Sequence, residues 1–354
     1  MRDTVHDHGS PLVAPEAGAR WLARLPTPVA LTGGTGFVGS HLVDTLCAAG
    51  VTPRVLVRDR ARARWIADRP VSWVEGDLGD AAALGRLVAG AGTVLHLAGV
   101  LRAAREGDFD LGHRGGTAAV VRAMAVGASG ARLVHVSSQA ALGPAPDPSG
   151  LGPEAEPRPI SAYGRSKLAA ERELEALPEE VRRVVVRPPA IYGPRDTDVL
   201  EFFRMAARGL TATPAGERWI TVAHVADVVR GILAAAASGA DRAVYHLGDP
   251  EPETLRRLLE RIAAAGGLRP AHLVVPPPLV SALGLTGSLL HRLGATRFPM
   301  TRDKAREILA RHWVLRTADS LAALGLGASV PFDAGATATW TWYRRHHWLR
   351  HKEG

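Results

Sequence analysis

VALTGGTGFVGSHL, residues 29–42, decides the fold. A short β-branched run, Val29–Thr32, passes straight into Gly33, Gly36 and Gly39, which stand three apart. A helical segment follows from Phe37 to Ala49 and stops at Gly50, a normal helix terminator. A glycine at a strand's end lets the chain turn sharply. A second lets the backbone approach a pyrophosphate, and a third lets the helix pack closely on the strand. The amino terminus of that helix favours the pyrophosphate's charge. Strand, glycine turn and helix in this order are the context a dinucleotide site requires. Gly33, Thr35, Gly36, Phe37 and Val38 are the expected contacts.

The rhythm continues beyond this unit. Short apolar runs recur at RVLV (54–57), VSWV (71–74), TVLHL (93–97), RLVHV (132–136), RVVVR (183–187) and AVYHL (243–247), with helical stretches between them. Strands alternating with helices imply parallel strands and helical crossovers. The expected fold is therefore α/β: a Rossmann-type doubly wound parallel sheet with a smaller helix-rich lobe. The sheet domain is assigned to 27–192 and 217–249, and the substrate lobe to 193–216 and 250–350. Proline and glycine punctuate 193–216 and 266–299, and helices are expected at 224–237, 254–265, 301–312 and 335–350.

Composition narrows the class. The chain has 354 residues, 46% of them hydrophobic and 22% charged, enough for a large core. One cysteine, Cys47, excludes an internal disulfide and fits a reducing compartment, so a cytoplasmic location is expected. Residues 1–26 hold Asp3, Asp7, Glu16 and several prolines without an apolar core. They read as a loose tail, with a short helical piece around Ala19–Leu25, and not as a secretory signal. LVVPPPLVSALGLTGSLL (273–290) comes closest to a membrane span, but three prolines cut it. The net charge of +8 comes from arginine spread along the chain, with no aromatic-basic module for nucleic acid. The local cluster WTWYRRHHWLRHK (340–352) reads as a terminal helix packing its tryptophans on the domain, with a membrane-surface role as the alternative.

The ends of the later strands point to the cofactor. The second strand runs into LVRDRAR (56–62), with Arg58 ahead of Asp59. A guanidinium suits a 2′-phosphate, so NADP(H) is expected over NAD(H). GDL (76–78) follows the third strand, where Asp77 accepts from the adenine amino group beside Leu78. HLAG (96–99) follows the fourth; Leu97, Ala98 and Gly99 let the cofactor pass close to the backbone.

The chemistry is carried by SAYGRSKLAAE (161–171). The chain has four tyrosines and three lysines against 40 arginines, yet Tyr163 stands four places before Lys167. That spacing puts both on one helix face. A lysine's compact ammonium has three rotatable donors. It holds ribose hydroxyls and lowers a neighbouring phenol's pKa, a double task that arginine's planar fork fits badly. A phenol so tuned passes a proton to or from a substrate oxygen while hydride moves at the adjacent carbon. VHVSSQAALG (134–143) supplies a second donor after a strand. Ser138 is the choice over Ser137, which is assigned to the cofactor.

On these residues the chain resembles an extended short-chain dehydrogenase/reductase, the group of NAD-dependent epimerases and dehydratases. Its nearest look is to dihydroflavonol reductases and 3β-hydroxysteroid dehydrogenases. The matching stretches are TGGTGFVG (32–39), GDL (76–78), HLAG (96–99), VSSQAALG (136–143), YGRSK (163–167), RPPAIYGP (187–194), VAHVADVV (222–229) and YHLGD (245–249). The resemblance implies Ser138 as the group that orients the substrate oxygen, Tyr163 as acid/base and Lys167 on the ribose. It places Pro188, Ala190 and Ile191 at the nicotinamide, and a dimer is the family's habit. No metal site is implied. The family asparagine of N-V-x-G-T is replaced by His113 in HRGGT (113–117), which reads as a helix-surface histidine, with a proton relay as the alternative. The Asp-Glu pair of sugar-nucleotide dehydratases is replaced by Gln139 and Ala140, which speaks against dehydration.

Three functions remain open on the sequence. The first is a ketone or secondary-alcohol oxidoreductase acting on a small, hydrophobic molecule, to which the apolar stretch 273–290 is suited. The second is a sugar-nucleotide epimerase, with Arg195, Arg204, Arg208 and Arg218 as candidate diphosphate ligands. The third is a non-catalytic cofactor-binding scaffold.

Overall fold

The computed structural model describes residues 20–100, 106–292 and 300–349. Most of the expected tail, 1–19, and the last basic residues, 350–354, lie outside the described residues. Seven strands form one parallel sheet. Six of them are β1 (Val29–Thr32), β2 (Arg54–Val57), β3 (Ser72–Glu75), β4 (Thr93–His96), β5 (Arg132–Val136) and β6 (Arg182–Arg187). The order is β3-β2-β1-β4-β5-β6, with Val244–His246 added beyond β6. The chain reverses its direction of travel across the sheet between β1 and β4. That crevice, at the carboxyl ends of the strands, is where such sheets bind ligands.

The sheet is covered on both faces, so its central strands are buried throughout instead of alternating between core and solvent. All four residues of β1 and all five of β5 are buried. One face carries the helices Phe37–Ala48 and Val225–Ser238, whose Leu42, Leu46, Val229 and Ile232 pack with Leu31, Leu95 and Val134. The other face carries Ala81–Val88 and Gly116–Gly127, where Leu84, Leu87, Val120 and Met124 meet Ala30, Val94 and Leu133. Trp21 and Leu25 are buried in the first of these cores, with a single helical turn over 20–22. Residues 20–26 of the expected tail are therefore anchored, because two large apolar side chains find core contacts.

A smaller assembly surrounds the carboxyl ends of the strands. It contains the helices Leu200–Ala207, Leu255–Ala265 and Phe332–Arg345, which share a core of Phe203, Leu259, Ile262, Trp340 and Tyr343. Strands Leu210–Pro214 and Ala271–Val275 form a separate parallel pair. The terminal tryptophans turn inward: Trp340 Nε1 donates to the Ile262 carbonyl at 2.6 Å, and Trp342 packs on Trp65 with ring centroids 5.6 Å apart. The tryptophans of the 340–349 segment thus pack on the protein, Trp340 buried and Trp342 and Trp348 half-buried.

Candidate active site

The glycine turn has the shape a pyrophosphate needs. Gly33 has a φ of 75°, and a Cβ there would lie 2.7 Å from the Ala98 amide nitrogen. At Gly39 a Cβ would collide with the Gly33 carbonyl. The helix Phe37–Ala48 begins at Gly36 with no side-chain cap and no acidic residue in its first turn. Gly36 is exposed, and Thr35, Phe37 and Val38 are half-buried around it. The first amides of this helix thus have no side chain competing for them, which fits a dinucleotide's diphosphate.

The remaining expected contacts are joined to this turn by short links. The Leu97 amide donates to the Thr32 carbonyl at 3.2 Å, and the Ala98 amide donates to Thr32 Oγ1 at 3.3 Å. A Cβ on Gly99 would lie 3.5 Å from Lys167 Nζ. Lys167 Nζ donates to the Val136 carbonyl at 3.1 Å. The Gln139 amide donates to the Pro188 carbonyl at 2.9 Å, and the exposed Ala190 and half-buried Ile191 follow. Asp77, exposed after β3, accepts from the Gly79 amide at 2.8 Å. Leu78 packs where Gly116 leaves room for it.

Ser138, Tyr163 and Lys167 converge. Ser161 starts the helix Ala162–Glu173 by accepting from the Gly164 amide, so Tyr163 and Lys167 stand on its first two turns. The Ser138 hydroxyl lies near enough to the Tyr163 phenol to favour its charged form, while it also accepts from the Ala140 amide at 3.1 Å. Burial pushes Tyr163 up to about 12, and Ser138 pulls it partly back. The expected lowering of the phenol by Lys167 is not met in this structure: burial dominates, and the Glu307 and Asp198 carboxylates add to the rise. Lys167 is itself brought down to about 8 by burial, against which the Glu171 carboxylate works.

The structure adds one participant that the sequence did not single out and moves another off the surface. Glu171 lies one turn beyond Lys167. It accepts from Arg187 Nε at 2.9 Å and Nη2 at 2.6 Å, in a pair buried on both sides. The Ser137 hydroxyl also bonds Glu171, and its amide donates to the Val186 carbonyl at 2.9 Å, so neither donor is left for the cofactor contact expected of Ser137. The i, i+4, i+8 series Tyr163–Lys167–Glu171 was the available signal.

The second is His113, which is no surface histidine. It is 2% exposed and sits in a π turn, Leu111–Gly115, between two helical stretches. The Val100 amide donates to its Nε2 at 3.0 Å, which leaves the proton on Nδ1, facing Ser166 Oγ at 2.8 Å. Ser166 in turn donates to the Tyr163 carbonyl at 2.8 Å. Burial, with Lys167 nearby, brings His113 down to about 3. It stays neutral and has no spare nitrogen, so it does not relay protons.

A model of the NAD dependent epimerase/dehydratase family matches residues 29–248. The chain is 34% identical over 326 residues to the ceramide reductase of Caulobacter vibrioides, covering 91% of this chain and 96% of that protein. It is 31% identical to the 4-hydroxy-2-methyl-3-oxo-4-farnesyl-3,4-dihydroquinoline-1-oxide ketoreductase of Stigmatella aurantiaca, covering 87% and 94%. Among solved structures it is similar to MoeE5 in complex with UDP-glucose and NAD, with a TM-score of 0.69, 24% identity and coverage of 91% and 100%. It is also similar to the dTDP-glucose 4,6-dehydratase DesIV of Streptomyces venezuelae with NAD bound, with a TM-score of 0.73, 23% identity and coverage of 91% and 98%. The chain belongs to the NAD-dependent epimerase/dehydratase family and is an NAD(H)-binding enzyme of the oxidoreductase and epimerase type.

The expectation of NADP(H) is corrected by these comparisons, since the similar structures with a named dinucleotide hold NAD. The end of β2 supplies the physical reason. Arg58 is exposed. Beside it the Asp59 carboxylate is fixed in the loop, accepting from the Ala61 amide at 3.0 Å and pairing with Arg62 at 3.3 Å. A carboxylate held there repels a 2′-phosphate.

Proposed function

We propose that this enzyme interconverts a ketone and a secondary alcohol on an apolar substrate. When bound, NAD(H) supplies or accepts the hydride. In the reducing direction the Tyr163 hydroxyl gives its proton to the carbonyl oxygen as the carbon takes the hydride. The Ser138 hydroxyl donates to the same oxygen and orients it. Lys167, kept charged by Glu171, binds the ribose hydroxyls. Arg187 and Ser137 hold Glu171 in place.

The family model and the similar solved structures support a sugar-nucleotide substrate at least as well as a ketone. The observation that favours the apolar reading is the state of the candidate diphosphate ligands. Arg195 is buried against Asp44 and Ser40 at 2.8 and 3.0 Å. Arg218 donates to the carbonyls of Pro214, Ala215, Gly216 and Ile308. Arg204 pairs with Glu201. Of the four, Arg208 alone is exposed. A shallow, open cleft near the start of the Tyr163 helix is lined by Ile160, Leu309 and Ala310, with Arg306 at its side; Ser138, Tyr163 and Lys167 are not among its lining residues. The two relatives named above, at 34% and 31% identity, are reductases by name.

The test is NADH oxidation with a panel of long-chain ketones, set beside conversion of UDP- and dTDP-glucose with catalytic NAD. Turnover of the ketones supports the reading. Turnover confined to the sugar nucleotides replaces it with the epimerase or dehydratase reading.

A further inference from the structure

From Leu273 to Leu290 the sequence has no ionisable side chain. This stretch forms the second strand of the small parallel pair and then the helix Pro277–Arg292. Val280 and Gly284 face the protein; Gly284 packs so closely that a Cβ would lie 2.6 Å from that of Ala305. On the opposite side Leu279, Leu285 and Leu289 are 51%, 56% and 57% exposed, and Leu273 and Val274 of the strand are 52% and 53% exposed. A soluble helix normally puts charge on such a face. This one puts leucine there, and large apolar side chains exposed together on one helix mark an interaction site.

The surroundings favour one occupant. Exposed Arg208 and Arg269 stand at one end of the patch, where the Ala271 amide meets the Gly209 carbonyl at 2.9 Å. Exposed Arg302 stands at the other end, its amide donating to Ser288 Oγ at 2.8 Å. The nearby acids are engaged: Asp303 accepts from the Ala162 amide at 2.7 Å and pairs with Arg306, and Glu307 pairs with Lys304. Leucine in the middle and arginine at the rim is the pattern of a surface that rests on an anionic bilayer. The helix Arg302–Leu309 touches both the leucine helix and, through Asp303, the first turn of the Tyr163 helix. The patch therefore adjoins the mouth of the cleft.

We propose that the face formed by Leu273–Val274 and the helix Pro277–Arg292 docks on anionic lipid surfaces, so that an apolar substrate enters the cleft from the membrane. The docking rests on the apolar-substrate reading for its purpose, while its test needs no turnover.

The experiment is co-sedimentation of the full chain with vesicles of phosphatidylcholine, with and without phosphatidylglycerol, at low and high salt. The wild type is expected to bind the anionic vesicles, with affinity falling as salt rises. L279Q/L285Q/L289Q is expected to weaken binding by about tenfold or more while keeping its Tm and its NADH affinity. R208E/R269E, which leaves the helix intact, is expected to lose the preference for anionic vesicles. No binding by the wild type, equal binding by the leucine variant, or conversion of a dimer to a monomer by that variant without vesicle binding would each overturn the proposal. Vesicle binding without ketone turnover would leave docking standing and remove the substrate reading; turnover without vesicle binding would do the reverse.

Discussion

His113 and Ser166 are joined by a 2.8 Å hydrogen bond across 53 residues of sequence. The bond ties the loop after β4, through the Val100 amide, to the helix that carries Tyr163 and Lys167. His113 also meets the Tyr163 ring edge-on, with centroids 5.3 Å apart. One neutral imidazole thus sets the distance between the loop after β4 and the start of the Tyr163 helix.

His113→Ala should lower kcat by about tenfold or more and raise the KM for NADH, because a misplaced donor and a loosened loop each weaken catalysis. His113→Asn keeps one acceptor and one donor and should recover most of the loss. The pH profile separates positioning from proton relay. A limb between pH 6 and 7 in the wild type that vanished in His113→Asn would contradict the assignment.

Lys167 predicts an alkaline limit. With its pKa near 8, it carries the charge that holds the ribose below that pH and loses it above. NADH affinity should fall as pH rises through about 8. Glu171→Gln removes the anion that favours the charged form, so the fall should begin at lower pH. Isothermal titration across pH 7–9 checks both; an affinity flat over this range would contradict them.

The interior predicts acid sensitivity. His41 and His96 are brought down to about 3 and His224 and His246 to about 4, in every case chiefly by burial. They are neutral in the folded chain and take up protons on unfolding below about pH 6.5. The unfolded state therefore binds more protons there, and stability falls with falling pH. Each such histidine contributes up to about 1.4 kcal/mol per pH unit. Tm should drop steeply between pH 6.5 and 5; a constant Tm would show that these rings are solvated.

Local rules made the framework legible. β1, β2 and β5 each carry a run of β-branched and leucine residues, and β1 and β5 are followed by glycine or serine turns. The Tyr163–Lys167 pair needs no more than helical spacing. What stayed hidden depends on partners distant in sequence. Nothing near His113 announces Val100 and Ser166. Trp21 and Leu25 look like tail residues until the core receives them. The candidate diphosphate arginines looked free because Asp44 and the carbonyls around Pro214 are brought to them by the fold. At β2 the error was a choice between adjacent residues. Arg58 drew attention by its charge, while Asp59 had the fixed geometry.

The central claim is that the Tyr163 hydroxyl passes the proton that accompanies hydride transfer. Single-turnover NADH oxidation by Tyr163→Phe, with a long-chain ketone the wild type reduces, tests it most directly. The account predicts a loss of about a hundredfold or more in the transfer rate with NADH affinity unchanged. A rate within about threefold of the wild type would contradict it.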